Sequence, residues 1–425
     1  MKAAVLSAHI GGRINAIASK SQAHRLLICS ALSGSDTSVN CPDSSEDIEA
    51  TAACLNSLCA RVARVPSGYA TSPSGISEYM TERVLNCGES GSTYRFLLPV
   101  ACALGLPSRF ILGGRLPERP MEVFWNVLEE HGAVIGAKGT SELSVGGALR
   151  PGRYTLPGSI SSQYISGLIF ALPMLDSDSV IVITGAAESK SYISLTLEAV
   201  RSFGIKAYWR DNTISIPGGQ KYISPGSVTV EGDWSNSAFW LCAAAAGGSG
   251  LTCLGLSADS KQGDRAILEL LSRFGADISA GKSSVTVNPG GRLKGIEIDA
   301  GEIPDLVPAL AVAAASADGT TIIKNAGRLR FKESDRLLSV GRTLKLLGAN
   351  AAQRDDMLII SGRRTLAGGT TDSFGDHRIA MMAAVAAVIC TGPVIIERAQ
   401  AVAKSYPKFF EDFRALGAKV EITEV

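Results

Sequence analysis

The sequence predicts an α/β protein of six related units divided three and three between two domains, and three recurrences predict it. First, a helix-like stretch stops at a glycine in HGAV, FGIK, FGAD, LGAN and LGAK, at Gly132, Gly204, Gly275, Gly348 and Gly417. The glycine accepts the left-handed conformation that ends a helix, and the chain turns into a strand-like run such as VTV or VEI. One period of roughly seventy residues earlier, Cys59 in LCARV holds the glycine's place. Second, apolar helices follow short polar clusters: KSQAHR before Leu26, ESGSTYR before Phe96, SISSQY before Ile165, DWSNS before Ala238, EIPD before Leu306 and GDHR before Ile379. A helix apolar on every side has to be buried. Third, the amphipathic helices that end at the glycines start from a second series, at Ser44, Leu116, Glu188, Lys261, Lys332 and Lys404.

Each element follows from these signals. A unit contains strands, one buried helix and one amphipathic helix, which makes it α/β. Six such units in a chain of 425 residues exceed one core, so they divide three and three, with the strand-rich crossing near Gly226–Asp233, including SVTVEGD, as the boundary.

Composition narrows the function. A net charge of +1 supplies no field for nucleic acid or an acidic membrane surface. The start Met1–Leu6 has too short an apolar run for a signal peptide, and the apolar stretch Ile379–Cys390 is too short to span a bilayer, so the chain is expected in the cytosol. The nine cysteines form no Cys-x-x-Cys and are expected to be buried, reduced thiols. With four histidines and no His-x-x-x-His, no metal centre is expected. Neither a Gly-x-x-x-x-Gly-Lys-Ser/Thr loop nor a Gly-x-Gly-x-x-Gly after a strand is present, so no nucleotide motif stands out.

What remains is anion chemistry on small substrates. Arg119, Lys190, Lys261, Lys332 and Lys404 recur at one period, and Ser, Gly, Lys and Arg cluster at the starts of buried helices. Backbone N–H groups, the positive end of the helix dipole and cations at one place bind phosphate or carboxylate. For any single cluster, ordinary N-capping with the cations in water explains as much. The joint pattern favours a site.

IASKSQAHR, GESGSTYRFLLP, LPERP, SISSQY, ESKSY, EIPD, RFKESDR, GDHRIAM and KSYPKFF, in this order from about Ile17 to Phe410, together resemble the 5-enolpyruvylshikimate-3-phosphate synthase (3-phosphoshikimate 1-carboxyvinyltransferase) family of enolpyruvyl transferases. The resemblance implies a two-domain inside-out α/β barrel with three βαβαββ-type repeats in each domain. Residues 18–230 would form the first domain, mainly for shikimate 3-phosphate. Residues 1–17 and 231–425 would form the second, with the catalytic carboxylates and phosphoenolpyruvate ligands, and the active site would lie in the cleft between them. It also implies transfer of the enolpyruvyl group of phosphoenolpyruvate to the 5-hydroxyl of shikimate 3-phosphate through a tetrahedral adduct that loses phosphate. No cofactor is implied, and the protein is expected to be a monomer.

By this resemblance Lys20, Ser21, Arg25, Ser161, Ser162, Gln163, Ser189, Tyr192, Asp305 and Lys332 would hold shikimate 3-phosphate. Lys20, Gly91, Arg95, Arg119, Gln163, Arg336, Arg378 and Lys404 would hold phosphoenolpyruvate. Asp305 would take the hydroxyl proton and Glu333 would protonate the methylene carbon, with Lys20 as the third catalytic group. The residue types suit those tasks: glycine permits close backbone approach, and arginine grips carboxylate or phosphate with two N–H groups. Ser161, Ser162 and Asp305 could equally be helix caps, and Glu333 could be an exposed intrahelical partner of Arg336. His377 would be a hydrogen-bonding support. His24, Glu89, Arg328 and Leu329 depart from residues common in the family, and no role is carried over to position 328.

Two rival readings stay beside this one. UDP-N-acetylglucosamine enolpyruvyl transferases share the fold and the phosphoenolpyruvate chemistry, but carry a cysteine in a Gly-Gly-Cys loop where this chain has Arg115 in GGRLPERP. A non-catalytic anion-binding protein of the same fold would gain nothing from Asp305 and Glu333 in its site.

Overall fold

The computed structural model describes residues 1–73, 82–247, 250–290 and 292–424. The chain forms two compact units, one of Met1–Ser19 with Glu231–Val425 and the other of Lys20–Val230. The two segments that leave the first unit run side by side, with Ser19 N–H donating to Glu231 O and Asp233 N–H to Ile17 O, both at 2.8 Å. That pairing keeps Ala18 and Ser19 with the first unit, two residues beyond the expected end of that segment.

The Lys20–Val230 unit contains α1 (Lys20–Leu32), α2 (Glu46–Leu58), α3 (Gly91–Ala103), α4 (Glu122–Glu130), α5 (Ser162–Ala171) and α6 (Lys190–Ser202). The other contains α7 (Trp234–Gly247), α8 (Ile267–Phe274), α9 (Val307–Ser316), α10 (Arg336–Leu346), α11 (His377–Ala386) and α12 (Phe409–Ala415). The odd-numbered helices are the expected buried ones: from Val307 to Ala315 every residue of α9 is buried, as is all of α11. The even-numbered helices bury one face, and Leu337, Leu344 and Leu347 are inaccessible beneath α10. Two of the amphipathic helices start later than the polar series suggests, because 3₁₀ turns at Leu116–Glu118 and Gly263–Ala266 intervene, and at the last station Lys404 ends a 3₁₀ turn, Ala399–Lys404, before α12 begins at Phe409.

Six four-stranded sheets share one topology: a parallel pair, then two antiparallel pairings. In one, Arg153–Pro157 runs parallel to Ser179–Thr184, which pairs antiparallel with Thr213–Ile216 and so with Tyr208–Arg210. Three sheets are completed by strands distant in sequence. Lys2–Ala8 inserts between Val394–Glu397 and Ala418–Thr423. Gly12–Asn15 joins Leu251–Leu254, and Ser227–Thr229 joins Thr37–Asn40.

Close helix packing positions the site. In one unit α7 and α11 pack on α9; in the other α3 packs on α5, which packs on α6. A Cβ at Gly167 of α5 would lie 2.5 Å from the Arg95 carbonyl oxygen of α3, so these helices touch at a point that admits only glycine.

The five expected glycine stops all have positive φ, from 79° at Gly204 to 114° at Gly417, whereas Cys59 sits at −152°. Gly417 is the most constrained of them, since a Cβ would also approach His9 O to 2.5 Å. Gly417→Ala should therefore destabilise the unit by about 2 kcal/mol, the combined cost of strain and displaced backbone. Urea denaturation checks this, and an unchanged midpoint would contradict it.

Candidate active site

The expected site residues gather into two clusters, each a property of its own unit. In Lys20–Val230 they lie in the first turns of α1, α3, α5 and α6, except Arg119, which follows the 3₁₀ turn Leu116–Glu118. Lys20 opens α1 and pairs with Asp47 at 2.7 Å. Arg25, one turn on, is buried and bonded into the protein at every nitrogen: Nε to Thr196 Oγ1 at 2.8 Å, Nη1 to Ser21 O at 2.6 Å and Nη2 to Tyr192 O at 3.0 Å. Its guanidinium also lies over the rings of Phe96 and Tyr192. Burial lowers its pKa to about 10, against the pull of Tyr192, and Arg25 ties α1 to α6.

Gly91 opens α3, after Ser90, whose hydroxyl accepts from Thr93 N–H at 3.3 Å. A Cβ at position 91 would lie 2.8 Å from Arg119 Nη1 and 3.0 Å from Arg95 Nη1. The missing side chain leaves room where two guanidinium groups converge on the helix start. Arg95 Nη1 donates to Gln163 Oε1 at 2.7 Å, and Gln163 Nε2 donates to Ser92 Oγ at 2.9 Å, joining α3 to α5. The capping reading holds for Ser161, whose hydroxyl accepts from Gln163 N–H at 3.2 Å. Ser162 is the first residue of α5 and is buried. Ser189 precedes α6 in the left-handed conformation, with φ of 54°, and makes no side-chain cap bond.

In the other unit the centre is Arg336, the first residue of α10, only 1% exposed. Its Nη1 donates to Asp305 Oδ1 at 2.8 Å, its Nη2 to Glu333 Oε2, and its Nε to Asp376 Oδ2 at 2.9 Å. Lys332 Nζ also reaches Asp305 Oδ1, at 3.2 Å, and Arg378 Nη1 donates to the Asp305 carbonyl at 3.0 Å. Lys404 closes its 3₁₀ turn with Nζ on Gly375 O at 2.6 Å, beside the Asp376–Arg378 stretch.

Both bland readings of the carboxylates give way here. Asp305 lies inside the 3₁₀ turn Pro304–Leu306 and caps neither that turn nor α9. Glu333 does pair with Arg336, but it precedes the helix, whose N-cap is Asp335, and its partner is buried. Burial alone would raise the Asp305 pKa, yet Arg378, Lys332 and Arg336 overcome it and hold the carboxyl well below the usual carboxylate range. Burial lowers Lys332, against the pull of Asp305. Arg336 is raised, because three carboxylates outweigh its burial.

Three carboxylates of these clusters were not singled out from the sequence. Asp376 accepts from Arg378 N–H at 2.9 Å as the cap of α11, from Ser334 Oγ at 3.1 Å, and from Arg336. Asp47 holds Lys20. Asp264, in the turn before α8, is buried, and its pKa rises to about 7 through burial and the Asp305 charge, against the pull of Arg378 and Ser235. GDHR signals the first as a cap, and KQGDR belongs to the second polar series. Among the described residues, no group of three or more His, Cys, Asp or Glu could hold a metal ion, and no helix is long and apolar enough to cross a membrane.

A family model for EPSP synthase (3-phosphoshikimate 1-carboxyvinyltransferase) matches residues 6–413. A 3-phosphoshikimate 1-carboxyvinyltransferase of Clostridium kluyveri is 41% identical over 412 residues, covering 96% of each chain. One from Clostridium novyi is 38% identical over 430 residues, covering 98% of each. A solved EPSP synthase of Acinetobacter baumannii superposes with a TM-score of 0.83 at 26% identity over the whole of both chains. The enolpyruvyl transferase NikO of Streptomyces tendae shares the fold, with a TM-score of 0.81 at 19% identity, covering 99% of this chain and 98% of its own.

The Asp264 environment yields a pH prediction. A carboxyl whose folded pKa is raised from 3.8 to about 7 contributes stability that is complete below 3.8 and lost as pH rises through 7. Asp264→Asn should therefore be more stable than the wild type at pH 8 and lose that advantage by about pH 4. Thermal unfolding across this range checks the sign. An Asn variant that is less stable at pH 8 would contradict it.

Proposed function

We propose, on the premise that this chain belongs to the EPSP synthase (3-phosphoshikimate 1-carboxyvinyltransferase) family, that it transfers the enolpyruvyl group of phosphoenolpyruvate to the 5-hydroxyl of shikimate 3-phosphate and releases phosphate. This is the carboxyvinyl transfer of the shikimate pathway to aromatic amino acids. The observation that carries the catalytic assignment is the sharing of one buried guanidinium, Arg336, by both candidate catalytic carboxylates, Asp305 and Glu333.

Asp305 is the base. Its low pKa keeps it ionised, and the cations responsible are the ones expected to meet the anionic substrates. Bound phosphate and carboxylate neutralise part of that cationic field, so Asp305 becomes more basic once the hydroxyl is in place. Glu333 is the proton donor to the methylene carbon, its carboxyl aimed by Arg336. Lys20, Gly91, Arg95, Arg119 and Gln163 hold phosphoenolpyruvate with Arg336, Arg378 and Lys404. Lys20, Ser21, Arg25, Ser161, Ser162, Gln163, Ser189, Tyr192 and Lys332 hold shikimate 3-phosphate with Asp305. The converging guanidinium groups at Gly91 support the first set, and the helix starts carrying Ser161, Ser162 and Ser189 support the second. We place the reaction in the cytoplasm and assign it to the monomer.

The reading is tested by phosphate release with phosphoenolpyruvate plus shikimate 3-phosphate, and again with UDP-N-acetylglucosamine as acceptor. Release with the first acceptor alone is expected; release with the second alone would overturn it. Glu333→Gln should bind both substrates while turnover falls by roughly two to four orders of magnitude, the worth of a positioned acid. Near-normal turnover would remove Glu333 from the chemistry.

A further inference from the structure

A buried chain of hydroxyl groups runs from His24 across the starts of three helices. His24 Nδ1 lies 2.7 Å from Thr51 Oγ1 of α2, and Thr51 Oγ1 lies 2.6 Å from Thr93 Oγ1 of α3. Thr93 Oγ1 donates to Ser90 Oγ at 2.7 Å and lies 3.4 Å from the Asp47 carbonyl. His24, Thr51, Thr93 and Ser90 are all at most 1% exposed.

Proton counting sets the direction of this chain. Thr93 has one hydroxyl proton, and both Ser90 Oγ and the Asp47 carbonyl take it as acceptors. The 2.6 Å contact with Thr51 must then be made by the Thr51 proton. Thr51 Oγ1 in turn accepts from His24, so the ring carries its proton on Nδ1. Nε2 is left as a buried lone pair with no hydrogen-bond partner among the described residues. Burial, with Lys20 and Arg25 on the same helix, lowers the His24 pKa well below 6.5 and keeps the ring neutral. The elements packed against it present Thr51 from α2 and the edge of Phe96 from α3.

The ends of the chain are the places where the proposed anion ligands start. His24 is one turn from Lys20, the Asp47 carbonyl belongs to the residue that pairs with Lys20, and Ser90 caps the helix opened by Gly91 and carrying Arg95. Arg25 holds α1 to α6 and lies over Phe96 of α3, but its hydrogen bonds to Thr196, Ser21 and Tyr192 leave the setting of α1 against α2 to other groups. We propose that His24, as the Nδ1–H tautomer, is a positioning residue that sets α1 against α2 and α3 through Thr51 and Thr93, and thereby tunes affinity for the anionic substrates rather than the chemical step. This rests on the reaction assigned above only for the identity of those anions.

The test has two arms. Ring ¹⁵N shifts of uniformly labelled protein, with His24 assigned by its loss in His24→Asn, report the tautomer among the four histidines. Nδ1–H is expected, and Nε2–H would overturn the proposal. In the second arm, Thr51→Val removes the relaying hydroxyl at almost constant volume. KM for phosphoenolpyruvate should rise about tenfold, the worth of one buried hydrogen bond, with kcat within about twofold. Thr51→Ser should restore it. An unchanged KM in Thr51→Val, or a loss confined to kcat, would refute the positioning role. A wild-type protein without turnover would refute the family reaction instead, and the tautomer would then decide the present proposal by itself.

Discussion

The site depends on one buried guanidinium. Taking an arginine out of water costs far more than any single ion pair returns, so Arg336 is stable at 1% exposure only because Asp305, Glu333 and Asp376 surround it. Its nitrogens engage all three carboxylates, Nη1 on Asp305, Nη2 on Glu333 and Asp376, and Nε on Asp376, and that geometry needs the planar fork of arginine. The arrangement fixes Asp305 and Glu333 relative to each other without either being part of a rigid helix. Asp305 sits in a 3₁₀ turn and Glu333 in the segment before α10. Arg336 is what makes two short irregular segments a site.

The charges of the two clusters differ in a way that suits different tasks. Around Arg336 the named cations Lys332, Arg336 and Arg378 are matched by Asp305, Glu333 and Asp376, so this cluster is close to neutral and rich in carboxylates. In Lys20–Val230, Lys20 pairs with Asp47, while Arg95 and Arg119 converge at Gly91 and Arg95 Nη1 donates to the neutral amide of Gln163. That cluster supplies positive charge and helix N-termini, the setting for a phosphate or carboxylate.

Much of this was legible in the sequence because the fold repeats. Glycine stops, all-apolar helices and polar helix starts are local signals, and recurrence lifted each above its individual weakness. The two kinds of helix alternate as the periodicity required, and the stops have the left-handed backbone that glycine allows. Pairings distant in sequence were not legible. No local pattern places Lys2–Ala8 between two strands near the other end of the chain, or Ser227–Thr229 beside Thr37–Asn40. Asp376 illustrates the same limit at the site. GDHR reads as a helix cap, and it is one, yet the same carboxylate balances Arg336, forty residues earlier. Asp264 is hidden for a related reason, since only burial beside Asp305 distinguishes it from an ordinary surface aspartate.

The most direct test of this account keeps the charge at position 336 and removes the fork. Arg336→Lys retains one cation but replaces three spaced nitrogens with a single compact ammonium that does not span the three carboxylates, so Asp305 and Glu333 lose their common anchor. With circular dichroism showing a folded protein, turnover of phosphoenolpyruvate and shikimate 3-phosphate should fall by about a hundredfold or more, the cost of misplacing preorganised groups. Turnover within a few-fold of the wild type would contradict the claim that this guanidinium organises the site.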